Sequence, residues 1–251
     1  MKSITRKTKM TAALLCVLAL FGVALIAIIA STVNAVPEGP TITSFTNSTK
    51  VDQNGTVRTD GKGTINFARF NAIAQNKKWK AYVGNITGTL VLQDSDGYNI
   101  YDWKLTSALS GTVLASRNNT LNWSGIKCLN TTTIGVEQIQ LQFLTSQEDN
   151  INRTFNATNH TNFTINSINL GECPAAYTYI NSTRQVENNS ANLFQEIAIQ
   201  DDLERTAYAT RIHADIYSYR SNISDFQLLI PDFGNTSNTN TATYYFFVEL
   251  T

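Results

Sequence analysis

The chain has 251 residues, of which 15% are charged, and its 19 basic and 19 acidic side chains cancel. Four of the basic residues, Lys2, Arg6, Lys7 and Lys9, precede residue 36, so the remaining body is mildly acidic, at 15 against 19. A body this poor in Lys and Arg excludes nucleic acid as a partner, because such binding rests on neutralising phosphates.

Residues 1–10 form a basic leader, and residues 12–30 are an apolar run free of charge. Val33 and Ala35 then supply the −3 and −1 positions of a signal-peptidase site, which predicts cleavage between Ala35 and Val36. The rival outcome is an uncleaved membrane anchor, since the run reaches about 28 Å as a helix against a hydrocarbon core of ~30 Å. Both outcomes place the remainder outside the cell, with the positive flank inside. Cys16 lies too early in the run for a lipoprotein site, and Lys9-Met10-Thr11 is not a pilin-type junction.

Residues 36–62 read as an extended, polar, Gly- and Asn-rich segment and a possible donor strand, with Ile42 and Phe45 as its apolar residues. A β-structured domain is expected over 63–251. Ile65, Phe67 and Phe70 suggest its first strand, and residues 79–83 its second. The segments 87–92 and 99–103, joined by Asp94-Ser95-Asp96-Gly97, predict a β-hairpin. Further strands are expected at 111–116, 162–168, 177–180, 193–199, 206–219, 226–230 and 244–250, the last as a central strand. Residues 134–146 fit either period; their Gln and Glu content favours a helix, with Val136, Ile139, Gln140 and Phe143 on one face. The expected fold is all-β: an antiparallel β-sandwich, Ig-like or jelly-roll-like, with at most one short helix besides the N-terminal signal or anchor helix.

Beyond Cys16 there are two cysteines, Cys128 and Cys173, and an even pair in an exported chain reads as a disulfide. Two buried thiols are the alternative; a metal site lacks suitably spaced partners, because the chain has only His160 and His213. Asn-x-Ser/Thr occurs fourteen times, at Asn47, Asn54, Asn85, Asn118, Asn122, Asn130, Asn152, Asn156, Asn159, Asn162, Asn181, Asn188, Asn222 and Asn235. Random placement of this composition would give about five or six such sequons. The excess predicts N-glycosylation, and the four sequons within 152–164 require a solvent-facing segment there.

Candidate chemistry is thin. Asp94, Asp96 and Asp102 share a hairpin, but the third oxygen position and distal Glu of a calcium loop are missing, so turn chemistry is expected. Asp201, Asp202 and Glu204 read as a solvated turn. His213 reads as a strand residue, and His160, inside a sequon, as outside any cleft. No nucleophile elbow, phosphate loop or zinc-protease helix occurs. No catalytic, cofactor or metal residue is assigned, and no enzymatic activity is expected.

Residues 79–88, 100–103, 115–117, 123–128 and 245–250 together resemble a group of uncharacterised archaeal secreted surface glycoproteins. More loosely, the exported, sequon-dense composition is similar to subunits of archaeal extracellular filaments of the thread or bundling-pilus type. That resemblance implies β-sandwich subunits joined by inserting an N-terminal strand into the next subunit, although the lead here is polar and Gly-rich. The expectation is a structural cell-surface glycoprotein that self-associates into a filament or coat. Its partners would be further copies of itself and covalent N-glycans, with membrane contact only through an uncleaved N-terminus. The alternative is a monomeric adhesin or carbohydrate-binding module with Trp79, Trp103 or Trp123 as stacking platforms.

Overall fold

The computed structural model describes residues 36–103, 109–237 and 239–251. The expected export segment 1–35, with Ala35 of the cleavage junction, lies outside them. Strand structure begins at β1 (Trp79–Gly84), not at residue 64. Ile65, Phe67 and Phe70 are almost fully exposed and join no strand. Alternation alone does not make a strand where no edge is available to satisfy its backbone.

After β1 come β2 (Leu90–Gln93) and β3 (Asn99–Trp103), the expected hairpin, which forms a two-stranded sheet of its own. Its turn needs Gly97, at φ +89°, while the Asp94 carboxylate accepts the amides of Asp96 and Tyr98. Next are β4 (Gly111–Ser116), a 3-10 turn at Trp123–Gly125, β5 (Lys127–Cys128), and two helices, α1 (Thr131–Gln140) and α2 (Ile151–Thr154).

Helix α1 starts where the Asn130 side chain caps the Thr133 amide at 2.8 Å. It stops at Gln142, whose φ of +60° lies in the left-handed region. The helix overlaps the one expected over 134–146 but spans 131–140 and buries a different face, and α2 makes two helices where at most one was expected. Thr133, Ile134, Glu137 and Gln138 point inward, while Val136 and Ile139 are exposed.

The hairpin of β6 (Phe163–Ile165) and β7 (Ile168–Leu170) replaces the single strand expected over 162–168. Asn166 and Ser167, both at positive φ, form the two-residue turn between them. Strand β8 (Ala175–Tyr177) precedes β9 (Gln195–Gln200) and β10 (Thr206–Arg211). The long strand expected over 206–219 ends at Arg211, because Asp215 adopts φ +57° and turns the chain. The remainder comprises β11 (Ile216–Tyr217), β12 (Ile223–Ser224), β13 (Phe226–Pro231) and β14 (Tyr245–Leu250).

The described fold is mostly β, with antiparallel pairing throughout and little helix. Its centre is a six-stranded sheet ordered β14-β4-β10-β9-β5, with β8 sharing the far edge of β9. Both faces of this sheet are covered, which is why β4, β9 and β10 are almost continuously buried rather than alternating. On one face Val113, Ala115, Ala198 and Tyr208 meet Leu228 and Ile230 of β13, Ile134 of α1, and Ile151 and Phe155. On the other, Leu114, Ile197, Ile199 and Phe247 meet Phe163, Ile165 and Leu170 of the β6–β7 hairpin. Alanines at 115, 198, 207 and 209 keep the sheet surface shallow, so the covering layers supply most of the large side chains.

Candidate functional site

Strand β14 lies at the edge of the central sheet rather than inside it. It pairs with β4 along six residues, from Tyr245↔Ser116 to Leu250↔Gly111. Its outer side is engaged by the N-terminal lead at one bridge. Glu38 donates its amide to the Val248 carbonyl at 3.0 Å, and Val248 donates to the Glu38 carbonyl at 2.8 Å. Pro37 is buried beside this bridge, and from Glu38 to Lys77 every residue is exposed. The lead stays near the body as far as Phe45, whose ring lies 6.3 Å from that of Tyr82; Tyr82 in turn meets Phe246 edge-on at 4.9 Å. One residue further along β14 than Val248, on the side facing β4, the backbone leaves no room for a side chain at position 111. A Cβ on Gly111 would fall 1.9 Å from the Glu249 carbonyl oxygen, and its φ of +141° already excludes most side chains.

The sequon asparagines sit on the surface. Twelve are exposed, Asn118 and Asn122 are half-buried, and none is buried. Asn150, the fully buried asparagine of this region, is not in a sequon; its amide instead donates to the carbonyls of Thr145 and Gln147. The run at Asn152, Asn156, Asn159 and Asn162 is solvent-facing, as expected, and occupies α2 and the approach to β6. Asn159 and Asn188 are neighbours, with the Asn159 amide donating to the Asn188 carbonyl at 2.6 Å.

Cys128 and Cys173 form a disulfide closing a separation of 45 residues. It ties β5, at the sheet edge, to the segment that follows β7. His160 is buried beside this link, away from the concavity described below, and its Nε2 accepts the Cys173 amide at 2.9 Å. A sequon fixes the exposure of its Asn and says little about the next side chain, which in extended backbone points the opposite way. His213 is half-buried against the Phe194 ring, and burial followed by repulsion from Arg211 lowers its pKa.

Several carboxylates are buried. Asp201 is inaccessible, which corrects the expectation of a solvated turn. Its oxygens accept the amides of Asn122, Leu203 and Arg205 and pair with the Arg205 guanidinium. Burial opposes ionisation, but the Arg205 side chain and the Asn122 and Arg205 amides outweigh it and hold this carboxyl below the usual range. Asp202 and Glu204 do remain exposed. Glu137 pairs bidentately with Arg117, at 3.0 and 2.6 Å. Burial raises Glu196 well above the usual range, offset in part by the Leu229 amide that it accepts at 2.6 Å.

A shallow concavity of about 200 Å³ lies beside the Arg117–Glu137 pair, rimmed by Asn118, Val136 and Arg205. Its two strongest charges are already satisfied by each other. The three aspartates of the β2–β3 hairpin do not converge, and among the described residues no group of three or more His, Cys, Asp or Glu is placed to hold a metal ion. Among the tryptophans, Trp79 packs on Phe143 and Phe155, and Trp123 meets Phe247 edge-on. Trp103 is exposed, with Tyr101 edge-on at 5.0 Å.

Sequence reasoning did not find the cis bridge at Glu38, and an isolated Glu between Pro37 and Gly39 carries no strand signal. Comparison with protein-family models, with curated proteins and with solved structures finds no match for this chain.

Proposed function

We propose that this protein is a structural extracellular glycoprotein, a self-assembling subunit of a filament or cell-surface coat linked by β-strand addition. The observation that carries the reading is the Glu38–Val248 bridge. An otherwise exposed lead already pairs with the edge strand β14, so the same segment in a second copy has a defined edge to join. The central sheet with its covered faces supports a β-sandwich subunit of the Ig-like or jelly-roll-like kind. Fourteen sequons, none of them buried, support a sugar-shielded exterior and hence an exported, cell-surface location. Its partners in this reading are copies of itself and covalent N-glycans, and the protein is not an enzyme.

A second reading, a monomeric adhesin or carbohydrate-binding module, draws on the exposed Tyr101–Trp103 pair. Electron microscopy of the protein released from its native cell surface, beside size-exclusion of the mature chain, separates the two. Regular filaments or sheets, with residues 36–62 traced along a neighbour's β14, are the expected result. A monodisperse monomer and no polymer on the cells would sink the structural reading and promote the adhesin.

A further inference from the structure

Two β-prone, apolar segments of this chain are left without partners. The first is the loop over 51–77. Its neck is closed by Lys50, which donates to the Ile73 carbonyl at 2.6 Å, and by the Lys77–Asp52 ion pair at 2.9 Å. Beyond the neck, Ile65, Phe67, Phe70 and Ile73 are all more than 80% exposed. The second is the β2–β3 hairpin, a sheet of its own in which Leu92, Ile100, Tyr101 and Trp103 are exposed. A two-stranded hairpin open on both faces is marginal unless a further strand joins it.

The charges of these segments are complementary. The loop's Arg58 pairs with Asp60, Lys77 with Asp52 and Lys78 with Asp149. Lys62 and Arg69 then remain outside any ion pair among the described residues, on a stretch, 61–73, that contains no acid. The hairpin region 86–103 contains Asp94, Asp96 and Asp102 and no Lys or Arg. Asp94 is committed to the turn, whereas Asp96 and Asp102 are outside any ion pair among the described residues. No sequon asparagine lies within 61–73 or within the hairpin strands and turn, 90–103, the nearest being Asn54 and Asn85.

We propose that residues 64–73 of one copy add as a strand to the open edge of β3 in a second copy, which brings the basic Lys62 and Arg69 alongside the acidic Asp96 and Asp102. The choice of a second copy as occupant rests on the self-assembly reading, but the contact is separate from the one at Glu38. Edge addition satisfies the unpaired backbone of both segments, and charge complementarity sets register and partner. Strand β3 is the acceptor because all five of its residues are exposed, while Leu90 of β2 is half-buried.

The test uses the full mature chain carrying Glu38→Pro, which removes one of the two backbone hydrogen bonds to Val248 and so weakens the other contact. Light scattering over a concentration series up to about 100 µM should show association that weakens at least about tenfold in Ile65→Asp/Phe67→Asp. Asp96→Lys/Asp102→Lys should weaken it to a similar extent, with an unchanged thermal midpoint in each case because all four side chains are exposed. Mixing the Asp96→Lys/Asp102→Lys chain with a Lys62→Asp/Arg69→Asp chain should restore association. A monomer throughout the series, or association indifferent to both pairs of substitutions, overturns the contact. Native filaments that persist in all these variants would overturn it while leaving the filament reading standing. Association that follows the substitutions, on cells without filaments, supports the contact and removes the filament.

Discussion

The carboxylate of Glu249, buried in strand β14, accepts the backbone amide of Asn166 at 2.9 Å, joining the edge strand to the turn of the β6–β7 hairpin. Its second oxygen has no hydrogen-bond partner. Burial pushes this carboxyl up to about 7, offset in part by the Asn166 amide. A folded-state pKa above the unfolded value means that the native state holds the proton more tightly. The stabilisation is therefore fully present below the unfolded value of 4.5 and is lost as pH rises to about 7. Glu196 acts in the same sense, and His213, whose pKa is lowered, acts against them below 6.5. The two carboxyls outnumber the one imidazole, so the thermal midpoint should be higher at pH 5 than at pH 7.5. Glu249→Gln should flatten that slope by raising the midpoint at pH 7.5, as followed by calorimetry. A slope unchanged by the substitution would show that Glu249 does not carry it.

Removing the disulfide should cost a large share of the stability. By the chain-entropy estimate, a loop of 45 residues is worth about 3–4 kcal/mol, or roughly a 10 °C fall in midpoint for a domain of this size. Cys128→Ala/Cys173→Ala or reduction should give this fall in a thermal melt. An effect below about 1 kcal/mol would mean that the His160–Cys173 hydrogen bond and the surrounding packing hold the region without the covalent link.

Gly111→Ala should destabilise by roughly 2–4 kcal/mol. The added methyl carbon would meet the Glu249 carbonyl at 1.9 Å, so β4 and β14 must part at that end. Urea unfolding reads the loss, and protection of the Glu249 amide, which faces Thr112 of β4, should fall with it in hydrogen exchange. A substitution that proved neutral would require the two strands to tolerate separation there.

Sugar occupancy should follow geometry. Asn152, Asn156 and Asn162 are exposed, whereas Asn122 is half-buried and its side-chain nitrogen donates to Asp202 at 2.9 Å. Peptide mass spectrometry after amidase release should find the exposed group occupied most fully and Asn118 and Asn122 least. Asp202→Ala should raise occupancy at Asn122. Equal occupancy at all fourteen positions would indicate modification before the chain folds.

Much of the architecture was legible because it is written locally. Asp94 through Gly97 specify a turn by side-chain capping and a left-handed glycine, and the hairpin is where they place it. The cysteine pair and the sequons were likewise readable from residue type and spacing. What failed depended on distant partners. Ile65 and Phe67 alternate with polar residues as a strand does, but they meet nothing, while the unbroken apolar run Val113 to Ala115 meets β10 and β14. Strand β14 looked central because Tyr245 through Val248 are so apolar, and the Glu38 bridge that half-closes its outer side has no local signature. Asp201 looked solvated because its acidic neighbours are; one of the amides that its buried carboxylate accepts comes from Asn122, 79 residues earlier in the chain.

The pairing of β4 with β14 also governs how the chain reaches its native state. Ser116 and Tyr245 are adjacent in the sheet but about 130 residues apart in sequence, a separation that raises contact order and slows folding. Until the last strand docks, Val113 through Ala115 offer a bare apolar edge to any passing chain, the condition under which β proteins aggregate.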